Sequence, residues 1–264
     1  MVYGLRGLGL GTQSTTWYEL HLARGTKNSV GAETPVGESV LAVWLFHQQG
    51  RCDERDLEIG KLALLVQHLR RIETYDKSLL RHFRKQIYDS AHNWENYFGV
   101  RMEINVAASL VKKGIRFMKG ESPDFTVPSS GVSIECGSAH VQGPKYVHPL
   151  AKLRSVIADK ASKPYSNSNT ALFLDFTNIQ FALGPVPDER AIRKSEVVGI
   201  LDSLGASLGS VVCFCYFMAD DKTFQSNYSR MDAHSISHEL SAFLNAHYPF
   251  GRLDMGPGWA PCRG

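Results

Sequence analysis

The stretch Asp124-Phe125-Thr126-Val127, then Pro128-Ser129-Ser130-Gly131, then Val132-Ser133-Ile134-Glu135 holds the residues best suited to chemistry. It reads as a β-hairpin with a four-residue loop. Setting Val127 opposite Val132 pairs Thr126 with Ser133, Phe125 with Ile134 and Asp124 with Glu135. Alternation along each strand then gathers Phe125, Val127, Val132 and Ile134 on an apolar face and Asp124, Thr126, Ser133 and Glu135 on the other. Carboxylates directly opposed across a β-ribbon have Cβ atoms roughly 5 Å apart and repel each other. Water or a cation between them relieves that repulsion, and two converging carboxylates supply the oxygen ligands that a hard cation such as Mg²⁺ takes.

Glu103 is a third acid in the same argument. The run Met102 to Lys113 reads as a helix ended by Gly114, with Ile104, Ala107, Leu110 and Val111 as its apolar stripe. At ~100° per residue Glu103 falls at the edge of that stripe, and Ala107 one turn later leaves space above it. A carboxylate turned toward a core needs a partner, because an unpaired buried charge costs several kcal/mol.

The surrounding elements must position these residues. Pro35 to Phe98 reads as helical throughout, in segments around Val40–Leu45 (closed by Gly50), Leu57–Ile72 and Lys77–Phe98. β-like runs follow at 115–118, 125–127 and 132–136. After them come a helix near 150–163, a strand at 171–176, a helix near 191–204, a strand at 211–218 and a helix at 236–246. That order describes a mixed α/β sheet covered by helices. The chain divides in this reading into a loop and helical region over 1–98, a core over 99–247 and a tail over 248–264. Residues 1–35 read as mostly loop, with one short element near Trp17–Leu22. The tail reads as a surface segment or as a contact with a partner protein or a second copy of the chain.

A helical Glu103, then Pro123-Asp124 opening one strand, then Ile134-Glu135-Cys136 on the next, resembles the PD-(D/E)XK, or restriction-endonuclease-like, nuclease superfamily. The likeness covers roughly residues 95–178. It implies a restriction-endonuclease-like mixed β-sheet flanked by helices and a Mg²⁺-dependent phosphodiesterase, with Mn²⁺ as a substitute ion. Asp124 and Glu135 would be metal ligands, the Cys136 carbonyl a further ligand, and Glu103 an accessory acid. The implied substrate is nucleic acid, DNA ahead of RNA, in defence against foreign DNA or in repair. An inactive nuclease-like domain that binds nucleic acid or acts as a scaffold is the rival expectation.

The sequence departs from the family pattern at Gly137, where the motif lysine would stand. On the following helix Leu150, Leu153, Ile157 and Ala161 form the core stripe, and Lys160 falls about 65° from its centre, where a long stem can snorkel inward. The resemblance allows the lysine to move to this helix, so Lys160 is the expected replacement. Arg154 flanks the other side of the stripe as a phosphate contact, while Ser138 and His140 fall on the wrong strand face. Arg70, Arg71, Lys77, Arg81, Arg84 and Lys85 form a basic stretch, of which Arg81, Arg84 and Lys85 are the expected nucleic-acid contacts.

Other patterns read as structure. Gly205-Ala206-Ser207-Leu208-Gly209 has the letters of a nucleophile elbow, but it leads from a helix into a strand and is read as a turn. His234 and His238 stand at helical spacing without a third zinc ligand, and Cys213 and Cys215 share one face of an apolar strand. The early Gly4, Gly7, Gly9 and Gly11 lack the context of a phosphate loop. The 264 residues are 43% hydrophobic and 21% charged, which excludes a disordered or fibrous chain. With 29 basic against 26 acidic residues the net charge is +3, so nucleic-acid binding would rely on local patches. No run reaches the ~20 apolar residues of a membrane span, and no signal peptide is expected. Five scattered cysteines point to reduced thiols and a cytoplasmic location.

Overall fold

A computed structural model describes residues 35–90, 93–139, 149–177, 194–218 and 224–250. The expectations for Gly4–Gly11, Trp17–Leu22, His140, the start of the helix near 191 and the tail from 251 onward lie outside the described residues. The chain forms two compact units, Met1–Lys112 with Met218–Gln225, and Lys113–Phe217 with Ser226–Gly264.

The first unit contains α1 (Pro35–Gln48), α2 (Cys52–Tyr75), α3 (Lys77–Asp89) and α4 (Trp94–Lys112). Apolar residues three and four apart give each later helix one buried stripe: Leu62, Leu65, Leu69 and Ile72 on α2, and Leu79, Leu80, Phe83 and Ile87 on α3. Asp76 ends α2 and starts α3, its carboxylate accepting the Ser78 N–H at 2.7 Å. The expected single helix from Lys77 to Phe98 is two helices, the first ending at Asp89 and the second beginning at Trp94 and running through Gly99. Asn93 explains this, since its side-chain oxygen accepts the Asn96 N–H at 3.0 Å and caps the next helix. Gly99 sits inside α4 with open space beside it.

His68 of α2 and Asn105 of α4 are joined at 2.6 Å between Nδ1 and Oδ1. Burial, against the opposing effect of the Asn105 bond, pushes the His68 imidazole down to about 4 from its usual 6.5, with Arg71 and Lys112 adding repulsion. Between those two values the unfolded chain binds a proton that the folded chain refuses. Stability therefore falls as pH drops from 6.5 toward 4 and flattens below it, by on the order of 3 kcal/mol. Urea unfolding across that range is expected to show this slope in the wild type and a shallower one in His68→Gln. Equal slopes would contradict the assignment.

The second unit carries most of an open six-stranded mixed sheet in the order β1 (Met118–Lys119), β2 (Phe125–Val127), β3 (Val132–Ser138), β4 (Thr170–Asp175), β5 (Ser210–Met218) and β6 (Phe224–Asp232). The first three strands are antiparallel neighbours, whereas β3, β4 and β5 run parallel. Within the ladder the hairpin register is as expected, with Phe125 facing Ile134, Thr126 facing Ser133 and Val127 facing Val132, while the expected Asp124–Glu135 pair falls just beyond its end. Phe125, Val127, Val132 and Ile134 are all buried. The β3–β4 and β4–β5 connections carry α5 (Pro149–Ala161) and α6 (Lys194–Ser203), as parallel crossovers require. Leu153 and Ile157 of α5 and Val197 and Leu201 of α6 pack in one core with Leu172, Leu174, Val211, Cys213 and Cys215. Burial in that core pushes the Cys213 thiol up to about 12, so it is an inert core residue.

Four expectations need correction. Ile115 and Phe117 are buried but precede the two-residue β1, because Phe117 packs edge-on against Phe125 instead of joining the ladder. The strand β6 was not expected. Its sequence, FQSNYSRMD, is mostly polar, and beside the core residue Met231 it buries Ser229 and Arg230. That guanidinium is buried and satisfied by both Asp232 oxygens (2.8 and 2.6 Å), by Asn245 and by the Tyr248 carbonyl. The last helix, α7 (His238–His247), starts two residues late because the Ser237 hydroxyl caps the Leu240 N–H at 3.0 Å. His234 consequently lies before the helix and pairs with Asp202 at 2.6 Å, which removes the spacing read for His234 and His238.

The Gly205–Gly209 segment is a turn, as expected, with a short 3-10 helix at Gly205–Ser207. Gly209 is required there by close approach: an added Cβ would collide with the Ser168 carbonyl oxygen and meet Leu240 Cδ2 at 2.7 Å. Its N–H and C=O bond Thr170 and Ala233. Gly209→Ala is therefore expected to cost about 2 kcal/mol or more through a forced backbone shift. Gly199→Ala, on α6 with nothing within 4 Å, is expected to stabilise by about 0.5–1 kcal/mol. Thermal unfolding of the two variants checks the contrast, and equal midpoints would contradict it.

Candidate active site

The β2–β3 hairpin, the parallel β3–β4 pair and the last turn of α5 build the cluster. Asp124 immediately precedes β2 and turns one oxygen toward β3, where Oδ2 accepts the Cys136 N–H at 2.7 Å. Cys136 thus enters the cluster through its amide. Glu135 pairs with Leu172, and Gly137 with Leu174, so both lie on the sheet face that α5 covers. The Lys160 side chain descends from α5 onto that face and its Nζ donates to Glu135 Oε1 at 2.7 Å. Only 5% of the Glu135 side chain is exposed, against 23% for Lys160.

The Lys160 side chain passes beside Gly137. A Cβ built on Gly137 would meet Lys160 Cε at 3.7 Å, with Leu174 Cδ1 at 3.4 Å and Leu172 Cδ1 at 3.8 Å. The stem of Lys160 therefore fills the space beside Gly137 from the neighbouring helix. Burial alone would lower the Lys160 pKa, but the bond to Glu135 and the charges of Glu135 and Asp124 outweigh it and raise it, so the group stays an ammonium.

A second lysine, which sequence reasoning missed, completes the cluster. Lys119 Nζ lies 3.2 Å from Asp124 Oδ1 and donates to the Gly120 carbonyl at 2.6 Å, while standing 5.3 Å from the Phe125 ring centroid. Its side chain is 11% exposed. The usable signal was the strand preceding Pro123-Asp124, because antiparallel pairing of Lys119 with Phe125 sets it beside Asp124. Tyr165 borders the same cluster. Burial, with the Glu135 carboxylate beside it, raises its phenol above the usual range.

Two carboxylates and two ammoniums thus balance in charge. Glu135 Oε2 is shut away from solvent and accepts no hydrogen bond of ordinary geometry. A buried anionic oxygen in that state is costly, and it suits a cation ligand. Among the described residues no group of three or more His, Cys, Asp or Glu side chains is gathered to hold a metal ion. The acidic side chains of this cluster are Asp124 and Glu135.

The remaining expected residues lie on α5 and on helices of the first unit. Arg154 is exposed on α5, about 120° around the helix from Lys160. Arg81 and Lys85 are exposed on α3 of the first unit and Arg84 is half-buried there. Glu103 is half-buried on α4, at the edge of the buried face formed by Met102, Ile104, Ala107 and Leu110.

Comparisons of the chain with protein-family models, with curated proteins and with solved structures find no match. What is established is a mixed α/β chain with an open six-stranded sheet and, at one hairpin, a compact cluster of two acids and two lysines. No helix among the described residues is long and apolar enough to cross a membrane.

Proposed function

We propose that the chain is a metal-dependent nuclease of the restriction-endonuclease-like type, hydrolysing phosphodiester bonds of DNA ahead of RNA. The observation that carries this reading is the approach of Lys160 Nζ to Glu135 beside Gly137, where the motif lysine is absent. Mg²⁺, or Mn²⁺ in its place, would be held by Asp124 and Glu135 and would supply Lewis-acid charge for in-line attack of water on phosphorus. The Cys136 N–H fixes the rotation of the Asp124 carboxylate, a preorganised geometry for a ligand oxygen. Lys160, kept protonated by its two acidic neighbours, offsets negative charge on the phosphoryl oxygens and is unsuited to act as a base. Leu174 and Leu172, which border the same space beside Gly137, limit how far its stem can wander. The accessory role of Glu103 and the phosphate contacts of Arg81, Arg84, Lys85 and Arg154 are separate parts of the proposal, each open to its own substitution.

A second reading has its own support. The charge balance of the cluster without an ion, and the absence among the described residues of a third gathered ligand, favour a domain that binds nucleic acid without cutting it. Incubating plasmid and single-stranded oligonucleotides with the protein in Mg²⁺, Mn²⁺ or chelator separates the two. Cleavage that needs the ion and disappears in Asp124→Asn and Glu135→Gln supports the nuclease. Binding without cleavage, indifferent to both substitutions, overturns it in favour of the second reading.

A further inference from the structure

We infer that Lys119 is a resident counter-ion of the site, a positioning residue whose ammonium opposes a divalent cation at Asp124 and so keeps the ion's intrinsic affinity low. The inference rests on the nuclease reading and extends it to a residue outside the motif. Lys119 has a long, flexible stem, yet it is 11% exposed and held at three points: Asp124 Oδ1 at 3.2 Å, the Gly120 carbonyl at 2.6 Å and the face of Phe125. A lysine with no role at the acids would gain by turning this charge to water, since desolvating an ammonium is costly.

The charges give the direction of the effect. Asp124 and Glu135 are already matched by Lys119 and Lys160, so an incoming divalent ion meets a neutral cluster instead of a pair of free carboxylates. Like charge so close to a ligand oxygen weakens ion binding even in a hydrated setting. With the ion in place the cluster becomes cationic overall, and a phosphodiester anion then relieves the excess. Lys119 thereby links retention of the ion to the presence of nucleic acid, and neither binds at full strength alone.

Substitution of Lys119 tests this without any measurement of cleavage. Mn²⁺ titration followed by electron paramagnetic resonance reports the free ion directly. Lys119→Met keeps the stem on Phe125 and removes the charge, and it is expected to bind Mn²⁺ about tenfold more tightly than the wild type. Lys119→Arg, which keeps the charge, is expected to stay near wild type. An oligonucleotide of nuclease-resistant phosphorothioate linkages is expected to tighten Mn²⁺ binding severalfold in the wild type and less in Lys119→Met. A residue that only braced the fold would lower the unfolding midpoint without tightening the ion. If Lys119→Met does not fold, Lys119→Gln serves for the comparison. Unchanged or weaker Mn²⁺ binding in the neutral variant, with the wild type binding through Asp124, overturns the counter-ion role and leaves the nuclease reading standing. No Mn²⁺ binding by the wild type, equally in Asp124→Asn, overturns both.

Discussion

Lys160→Ala is expected to lower the single-turnover rate of Mg²⁺-dependent cleavage by about 10²–10³, the usual cost of removing one donor aimed at developing charge. Adding Gly137→Lys to that variant is expected to recover at least about tenfold of the loss, since half-restored positioning regains part of such an effect. The space for the transplant is visible. Once Lys160 is cut back to Cβ, the nearest neighbours of a Cβ at position 137 are the methyl groups of Leu174 and Leu172 at 3.4 and 3.8 Å. The first of these needs a shift of a few tenths of an ångström at most. Position 137 shares the sheet face of Glu135, so a lysine there points its stem in the same general direction. Cleavage indifferent to Lys160→Ala, or a double variant no better than the single one, would contradict the assignment of Lys160 as the displaced lysine. Rates measured at saturating Mg²⁺ keep ion affinity out of the comparison.

The second large effect separates stability from chemistry. Removing Lys160 alone leaves Glu135 buried with an unmatched charge, which typically costs about 3–5 kcal/mol for a fully buried pair and less here because Lys160 is 23% exposed. Replacing both by apolar residues of similar volume, Glu135→Met with Lys160→Met, removes the charge and the desolvation cost together. Stability of the double variant is expected within about 1 kcal/mol of the wild type, or above it. Its metal-dependent cleavage is expected to fall by about 10³ or more, as both an ion ligand and a charge-stabilising group are lost. Paired chemical denaturation and cleavage assays read the two quantities on the same samples. A double variant much less stable than the wild type, with cleavage unaffected, would make the pair a structural device.

How far the sequence alone carries this account differs by element. The three paired positions of the hairpin were legible, because β-branched and aromatic residues alternate cleanly across the Pro-Ser-Ser-Gly loop. Asp124 and Glu135 followed from that register, and Lys160 from its angle to the Leu153 and Ile157 stripe. Where capping decided an end, periodicity misjudged it. Asn93 restarts a helix that apolar spacing would have run straight through, and Ser237 delays α7 past Ile236. The strand β6 was hidden because its sequence is mostly polar and one of its buried positions holds an arginine whose hydrogen bonds go to residues 232, 245 and 248, two of them remote in sequence. Lys119 escaped for a related reason. A lysine beside a glycine looks solvated until the antiparallel partner of its strand is known, and β1 is only two residues long.

The central claim is that the Asp124 and Glu135 carboxylates share one hard cation. An anomalous-difference map from a Mn²⁺-soaked crystal tests it most directly. The account predicts a peak in contact with both carboxylates, reaching the buried Glu135 Oε2. A map with no peak there, and with Lys119 and Lys160 still bonded to the two acids at saturating Mn²⁺, would contradict it.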